Sequence, residues 1–535
     1  ACLTNNQYAE ALPYLKKAIA LNPENEKYIV DYVTTLKELG HFEEANNYLS
    51  KGRSKWPFNS ELAYLDAKRS LEKGEREQAL IAFKDAINNS ENPEYEWLIV
   101  YARTLLNDDQ TQFPLTETST ISIENLAVAQ KVLQKIVMNN GNIQSYANML
   151  LGEVYYLLNE IEAAHSIYLD LVNSIKDPQT ELSEWEWRIL AGMGLVKIAL
   201  QENEMGLVML KDAAVKNPNH IGVKQALAQA FLDMKLEDDA IRIAKEAFIT
   251  GSTNVRTLVW YADFMKKVNQ IDEVIKALEN ANLLSNYDEE ISLKLANEYV
   301  SAGNTINANL TLDSILQKDI SDYDLLRKTT TTLLRLSNFE NAYISYKKAL
   351  INLHQLSIEN QIEYIYLCYK NEKWQETLDQ VQRLISQNYG FMATYVIQGE
   401  SLSGINQFGA ALNAYEQAAQ LKRKLVDYIK FKNISEMFVP IDWIAELEKQ
   451  ENVISKLALA AISANEFEKS LKSIDQVIQL QPENANYKLF GADISLQLND
   501  FETAKKYLDH PDLGKMTEND EVQSSLYEGL NHIIE

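Results

Sequence analysis

Histidine and cysteine are the side chains best suited to metal or nucleophilic chemistry, and this chain carries few of them. The six histidines are His41, His165, His220, His354, His510 and His532. None of them forms the His-x-x-x-His spacing that places two imidazoles on one helical face around a zinc ion. The two cysteines, Cys2 and Cys368, form neither a Cys-x-x-Cys motif nor a disulfide framework. The sequence therefore predicts no metal site.

Other catalytic motifs are also missing from the sequence. No glycine-rich phosphate loop precedes a helical stretch, and no Gly-x-Ser-x-Gly nucleophile elbow occurs. Acidic side chains number 76, so neighbours such as Asp108 and Asp109 are expected to be solvated rather than paired for acid–base work. We expect no catalytic residue, no cofactor and no enzymatic activity in this chain.

The charge balance restricts the class of partner. There are 51 Lys+Arg against 76 Asp+Glu, a formal net charge of -25. Such a surface repels nucleic acid and anionic lipid, so it favours either simple solubility or a basic partner. No apolar run approaches the ~18 residues of a membrane span, so no direct membrane insertion is expected. The compartment stays open: a soluble cytoplasmic protein, or the soluble part of a membrane-anchored or exported parent.

Internal repetition organises nearly the whole sequence. When residues 26–59, 221–254 and 392–425 are each numbered from 1 to 34, position 11 is large and apolar and position 20 is Ala. Thirteen such units can be placed, and seven of the twelve steps between their starts equal 34 residues. The units begin at residues 26, 60, 95, 145, 187, 221, 255, 289, 323, 358, 392, 451 and 485.

The spacing within a unit predicts two helices joined by a turn. Apolar residues recur three and four positions apart, which is one face of a helix. Position 15 interrupts that pattern with residues that tolerate the left-handed conformation closing a helix. These residues are Gly40, Gly74, Gly303, Asn159, Asn269, Asn406, Asn465 and Asn499. Small residues at positions 8 and 20, such as Ala67 and Ala79, let the two helices approach closely. One hairpin cannot bury its apolar face alone, so neighbouring units must stack.

This pattern resembles the tetratricopeptide repeat family, whose period is 34 residues. The resemblance covers about residues 6 to 518. It implies an all-α fold, an α-solenoid in which antiparallel helix-turn-helix repeats form a right-handed superhelix. It also implies that the first helix of each repeat lines the concave side. The family often has Trp at position 4, where this chain has Ile29, Ala63 or Leu190.

Breaks in the period suggest the domain organisation. We expect a partial leading repeat at 1–25, a tandem array at 26–424 with a loop insertion near 107–121, an irregular helical segment at 425–450, two further repeats at 451–516, and a capping helix at 517–535. Ala1 falls at position 10 of a unit, inside a first helix, so we expect the chain to be part of a longer protein. The 425–450 segment is either a hinge or a degenerate repeat.

The resemblance also suggests a binding surface, because first-helix positions 2, 5, 9, 12 and 13 face the groove in the family. In the units at 323 and 358 these positions include Arg327, Leu334, Arg335, Ile362, Tyr366, Tyr369 and Lys370. Three cations beside aromatic and aliphatic side chains suit a protein or peptide partner with an apolar anchor and an acidic or carboxylate end. The alternative is that Tyr366 and Tyr369 pack between adjacent first helices.

Two function classes follow from this reading. The first is a non-catalytic scaffold or adaptor that binds a peptide or protein partner in the concave groove. The second is the repeat arm of a larger enzyme or of an envelope or secretion assembly, whose catalytic or membrane-anchoring part lies outside this chain.

Overall fold

The structure, a computed structural model, describes residues 7–107, 121–138, 144–175, 184–351, 353, 355–434, 436–509, 513 and 521–534. The expected loop insertion at 107–121 lies outside these residues except for its two ends, and so does the expected start of the capping helix at 517–520. Regular secondary structure within the described residues consists of thirty helices, with no β-strand. The fold is all-α, and the chain divides into two compact units.

Unit 1 spans Ala1–Leu284. Its helices are α1 (Tyr8–Leu21), α2 (Glu26–Glu38), α3 (Phe42–Lys55), α4 (Ser60–Glu72), α5 (Arg76–Asn88), α6 (Tyr95–Leu105), α7 (Ile123–Val137), α8 (Gln144–Leu157), α9 (Ile161–Ile175), α10 (Glu186–Ala199), α11 (Asn203–Lys216), α12 (Ile221–Asp233), α13 (Glu237–Thr250), α14 (Val255–Lys267) and α15 (Ile271–Leu284). From α2 onward, each even-numbered helix packs against the next helix as an antiparallel hairpin.

Unit 2 spans Ser285–Glu535. Its helices are α16 (Glu289–Ser301), α17 (Thr305–Leu316), α18 (Tyr323–Arg335), α19 (Phe339–Ile351), α20 (Ile358–Lys370), α21 (Trp374–Ser386), α22 (Met392–Gly404), α23 (Phe408–Gln420), α24 (Leu425–Lys432), α25 (Ile441–Leu447), α26 (Gln450–Ser463), α27 (Phe467–Leu480), α28 (Ala485–Gln497), α29 (Phe501–Leu508) and α30 (Glu521–Ile534). Six hairpins form here, and α30 packs against α28 and α29.

The turn inside each hairpin depends on one residue with a left-handed backbone. All eight Gly and Asn residues expected at position 15 have positive φ, from 55° at Asn269 to 78° at Gly40. Where that position holds another residue, as at Lys235 or Glu372, φ is still positive, at 61° and 54°. The stacking of the helices therefore imposes this conformation even where the side chain disfavours it.

Small residues set the distance between the two helices of a hairpin. Ala45, at position 20 of the first unit, is fully buried. At Gly399 a Cβ atom would lie 2.7 Å from the ring of Tyr415, so α22 and α23 can cross only where no side chain stands. Apolar side chains on the facing helices interdigitate around these close approaches and form the hydrophobic core.

Residues 421–449 leave the stack of hairpins. Helix α23 packs directly against α26, although 29 residues separate them in sequence. The two short helices between them, α24 and α25, lie against α22 instead, and α25 also touches α26. The stack of hairpins therefore continues directly from α23 to α26, and the insert lies beside it.

Candidate partner-binding groove

The seven residues expected at the groove lie on two neighbouring first helices of unit 2, α18 and α20. Arg327, Leu334 and Arg335 belong to α18, and Ile362, Tyr366, Tyr369 and Lys370 belong to α20. The structure brings most of them to one surface. That surface is covered by residues 436–447 of the same chain, which we call the groove segment.

The groove segment begins as irregular chain before α25, and this part is held by its backbone. The Arg327 guanidinium donates to the carbonyl oxygen of Glu436. The backbone N–H of Phe438 donates to Glu363 Oε1 at 3.1 Å. Arg327 Nη2 also donates to Glu363 Oε1, at 2.8 Å, so one ion pair holds both main-chain groups of the segment. These contacts recognise the peptide backbone and not a particular side chain.

Aromatic side chains hold the rest of the groove segment. The rings of Phe438 and Tyr346 meet edge to face, with centroids 5.1 Å apart. Trp443, on α25, lies 4.9 Å from Tyr366 and 5.3 Å from Tyr369 between ring centroids. Edge-to-face pairs of this kind add to the gain from burying the rings. The segment thus has two aromatic anchors, five residues apart.

Lys370 closes one side of the aromatic cluster. Its ammonium group lies 5.8 Å from the ring centroid of Tyr366 and 5.9 Å from that of Trp443. Both distances are within the range of a cation–π contact. The side chain is otherwise exposed, and it has no carboxylate partner among the described residues. A positive charge therefore remains at the rim of the covered groove.

The other expected groove residues divide into buried and exposed ones. Ile362 is 4% exposed and belongs to the same core as Val439 and Ile444 of the groove segment. Leu334 is half-buried against that core. Arg335 is exposed, and its Nη1 donates to Asn297 Oδ1 at 3.2 Å. The structure gives the positions of these seven residues. Their role in binding a partner stays a prediction.

Glu363 is a residue of this site that sequence reasoning did not single out. Its side chain is 1% exposed, and its two oxygens accept from Arg327, from Tyr346 and from the Phe438 backbone. Burial, followed by the charge of Glu363, raises the pKa of Tyr346 well above its usual value, so this phenol remains a donor. The available signal was a lone acidic residue inside the apolar run from Ile362 to Cys368.

A second buried carboxylate anchors the insert beyond the groove segment. Glu448 is 2% exposed and accepts backbone N–H groups from Ala393 at 3.3 Å and from Val426 at 3.2 Å, together with that of Leu425. These amides lie in the first turns of α22 and α24, where helices have unpaired donors. Burial raises the pKa of Glu448, although the three backbone N–H groups oppose the shift.

Cys368 is a buried cysteine on α20, and its surroundings affect the thiol. Burial raises the pKa of Cys368 to about 12, so this thiol stays protonated near neutral pH and is a poor nucleophile. In the described ranges no group of three or more His, Cys, Asp or Glu is placed to hold a metal ion. Among the helices described, none combines the length and apolarity that a membrane crossing requires.

Stacked antiparallel hairpins, each closed by a left-handed turn residue, define the chain as a helical repeat protein. Residues 3–68 match the sequence model of the family described as tetratricopeptide repeat. The match runs through α1, α2, α3 and most of α4, and the later hairpins repeat the same turn and the same close helix crossing. This match identifies residues 3–68 as tetratricopeptide repeats, and the rest of the chain shares their hairpin architecture. Repeats of this family generally mediate protein–protein interactions and are generally not catalytic.

Comparison with solved structures finds similar helical repeat chains. A chain of the Naa15/Naa10 complex bound to HypK-THB shares 12% identity over 99% of this chain and 95% of its own, with a TM-score of 0.31. YrrB, described as a tetratricopeptide repeat protein with an unusual peptide-binding site, shares 16% identity over 40% and 96%, with a TM-score of 0.32. A tetratricopeptide repeat protein from Parabacteroides merdae shares 15% over 49% and 94%, with a TM-score of 0.30. TM-scores this low support no conclusion about function. No curated protein sequence matches the chain.

Proposed function

We propose that this chain is a non-catalytic scaffold that binds a peptide segment of a protein partner on the first helices α18 and α20. The observation that carries the proposal is the occupant already present. A non-helical stretch of polypeptide lies across these helices, bound through its backbone by Arg327 and Glu363. A surface that captures backbone groups and two aromatic anchors has the features of a peptide-binding groove.

The proposed partner has an acidic or carboxylate end next to its apolar anchors. Arg335 and Lys370 occupy the last position of α18 and α20, and both are exposed. Neither has a carboxylate partner among the described residues, and Arg335 donates to the amide oxygen of Asn297. Cations at the rim of a groove favour an acidic ligand and speed its approach.

Selection of a random peptide library on the full chain tests the proposal. We expect enriched peptides that combine aromatic residues with acidic ones. The charge reversals Arg335→Glu and Lys370→Glu should each weaken their binding by about ten-fold, a loss of about 1.4 kcal/mol. Dissociation constants are measured by fluorescence anisotropy at fixed ionic strength, because contacts between exposed charges are screened by salt.

Lys328→Glu is the matched control for this experiment. Lys328 is exposed on the same helix as Arg335 but lies off the expected groove positions. Its reversal changes the net charge equally and should leave the dissociation constant within about two-fold. Failure to enrich any peptide would contradict the proposal. Equal weakening by all three reversals would also contradict it, since it would reveal only a response to net charge.

A further inference from the structure

We propose that residues 436–447 are a built-in ligand of the α18–α20 groove, and that the true partner is a peptide which displaces them with the same chemistry. That chemistry is a free backbone stretch at the first aromatic anchor, Phe438, followed by a helical turn that carries the second anchor, Trp443. The inference rests on the proposed function of the groove. It specifies the kind of partner, and it states that this partner must compete with the groove segment for the same surface.

The contacts of the groove segment are those that a separate peptide could reproduce. Glu436 and Arg327 are 109 residues apart in sequence, so their contact is one of tertiary structure and not of local folding. The segment presents one carbonyl oxygen and one N–H group to the pair Arg327 and Glu363. Any extended chain carries these groups at each residue. The groove thus binds its occupant by features that a peptide from another protein also has.

The buried carboxylate of Glu363 restricts what can replace the groove segment. Glu363 Oε1 accepts from the backbone of Phe438, and its side chain is 1% exposed. If the segment left without a substitute, this buried charge would lose one of its donors, which is unfavourable. An incoming ligand must therefore supply an N–H group at the same place. A purely apolar ligand lacks one, which favours a peptide.

The two rings give the groove its selectivity. Trp443 contacts both Tyr366 and Tyr369, and Phe438 contacts Tyr346, so each anchor meets aromatic side chains of the repeat helices. Large aromatic side chains in enclosed contacts dominate the binding energy of most interfaces. A competing peptide needs both rings, because one ring alone would leave half of the aromatic surface uncovered.

The run of hairpins is continuous without the groove segment, although Val439, Ile444 and Leu447 of the segment belong to the core of unit 2. Helices α23 and α26 pack directly against each other, and the insert lies beside them. The insert is fastened just outside the segment at Glu448, which accepts backbone N–H groups at the starts of α22 and α24. The proposal requires that the segment leaves the groove while this anchor and the hairpins stay in place.

The test compares the wild-type full chain with the full-length double variant Phe438→Ala/Trp443→Ala. The probe is a fluorescent synthetic peptide with the sequence of residues 436–447. Weakening the attached competitor raises the fraction of molecules whose groove is open, and apparent affinity rises in proportion to that fraction. We expect the double variant to bind the peptide at least about ten-fold more tightly than the wild type.

Two controls make this result specific. A peptide in which Ala replaces both aromatic residues should not bind to either chain. The full-chain variant Phe431→Ala removes an aromatic ring from the same insert, but Phe431 is 84% exposed. It should bind the probe peptide as the wild type does. The milder full-chain variant Trp443→Phe, which retains a ring, should give an intermediate gain and covers the case in which the double variant unfolds.

The outcomes separate this inference from the proposed function. Equal affinity of wild type, the double variant and Trp443→Phe for the probe peptide overturns the built-in ligand, even if peptides from the library still bind the groove. No binding of any peptide to any variant overturns both proposals. A concentration-dependent dimer of the wild type that disappears in the double variant also overturns the inference, because the segment would then be exchanged between two copies.

Discussion

At the scale of single residues, the left-handed turn position shows how backbone conformation affects stability. Gly303 has a φ of 74°, and a Cβ atom added there would meet nothing within 4 Å. Gly409, at the start of α23, also has open space around it, but its φ does not lie in the left-handed range. The two glycines therefore separate conformational strain from steric clash within the same compact unit.

Substitution of these glycines by alanine should act in opposite directions. Gly303→Ala should lower the free energy of unfolding by about 1 kcal/mol, because alanine disfavours the left-handed region. Gly409→Ala should leave it unchanged or raise it by up to ~1 kcal/mol, because alanine favours a helix. Urea unfolding followed by circular dichroism measures both. Destabilisation by Gly409→Ala as large as that by Gly303→Ala would mean that φ is not the cause.

Glu376 gives the chain a defined response to pH. Its carboxylate accepts from Lys347 at 2.8 Å and from the hydroxyls of Tyr343 and Tyr364 at 2.5 Å. Burial raises the pKa of Glu376, but these hydrogen bonds outweigh burial and hold the pKa below its usual 4.5. A depressed folded-state pKa stabilises the fold above the unfolded-state pKa. That contribution is lost as the pH falls through the folded-state pKa.

The variant Glu376→Gln isolates this contribution. At pH 7 it should lower the free energy of unfolding by about 1 kcal/mol, since hydrogen bonds to a charged acceptor are replaced by bonds to a neutral one. The difference between wild type and variant should shrink as the pH falls below about 4.5, where the unfolded wild type takes up the proton. Unfolding curves at a series of pH values measure it. A difference that grows toward acid pH would contradict the assigned sign.

At the scale of helices and turns, much of the structure could be predicted from the sequence. Each of the thirteen first helices begins within one residue of the start that the 34-residue pattern assigns. The reason is local: an apolar stripe defines the helix, and position 15 ends it. The residues of each hairpin interact mainly with adjacent hairpins, so one period describes them all.

The covering of the groove could not be predicted in the same way. The contact of Arg327 with the insert joins residues 109 positions apart, and no repeat unit contains both. Tyr366 occupies a groove position in the family pattern, yet it is 5% exposed because Trp443 lies against it. Periodicity describes what recurs, and the insert at 421–449 does not recur. Its place on α20 and α22 follows from tertiary contacts alone.

The geometry of the insert predicts that it can be removed. Several other hairpins in the chain are joined by four residues, as between Thr250 and Val255. Replacing residues 421–449 by the Gly-Ser-Thr-Asn sequence of 251–254 should keep α22, α23, α26 and α27 folded, because α23 already packs against α26. The groove should then be open, with a lower melting temperature as its apolar side chains become exposed.

Hydrogen exchange of this shortened chain provides the measurement. Amides of α23 and α26 should remain protected, while those of α20 should exchange faster than in the wild type. Loss of protection in both α23 and α26 would show that the insert is part of the stack. It would contradict the description of the insert as lying beside the stack.

At the scale of the whole molecule, the net charge of the chain repels an acidic partner, whereas the cations of the groove attract it. The net charge of -25 repels such a partner at long range. The cations of the groove attract it only at short range, within about 10 Å at moderate ionic strength. The groove and the groove segment both lie in unit 2, Ser285–Glu535. Displacement of the segment by a peptide would therefore take place within one compact unit. We therefore expect recognition to depend on contacts at α18 and α20 and not on the overall charge.

Hydrogen exchange of the full wild-type chain, with and without a saturating library-selected peptide, tests the central claim most directly. Displacement should leave the hairpins intact while the groove segment moves into solvent. We expect the peptide to speed exchange of the amides in residues 436–447 and to leave those of α18 and α20 protected. Protection gained on other helices, with the exchange of residues 436–447 unchanged, would contradict the claim that this groove is the binding site.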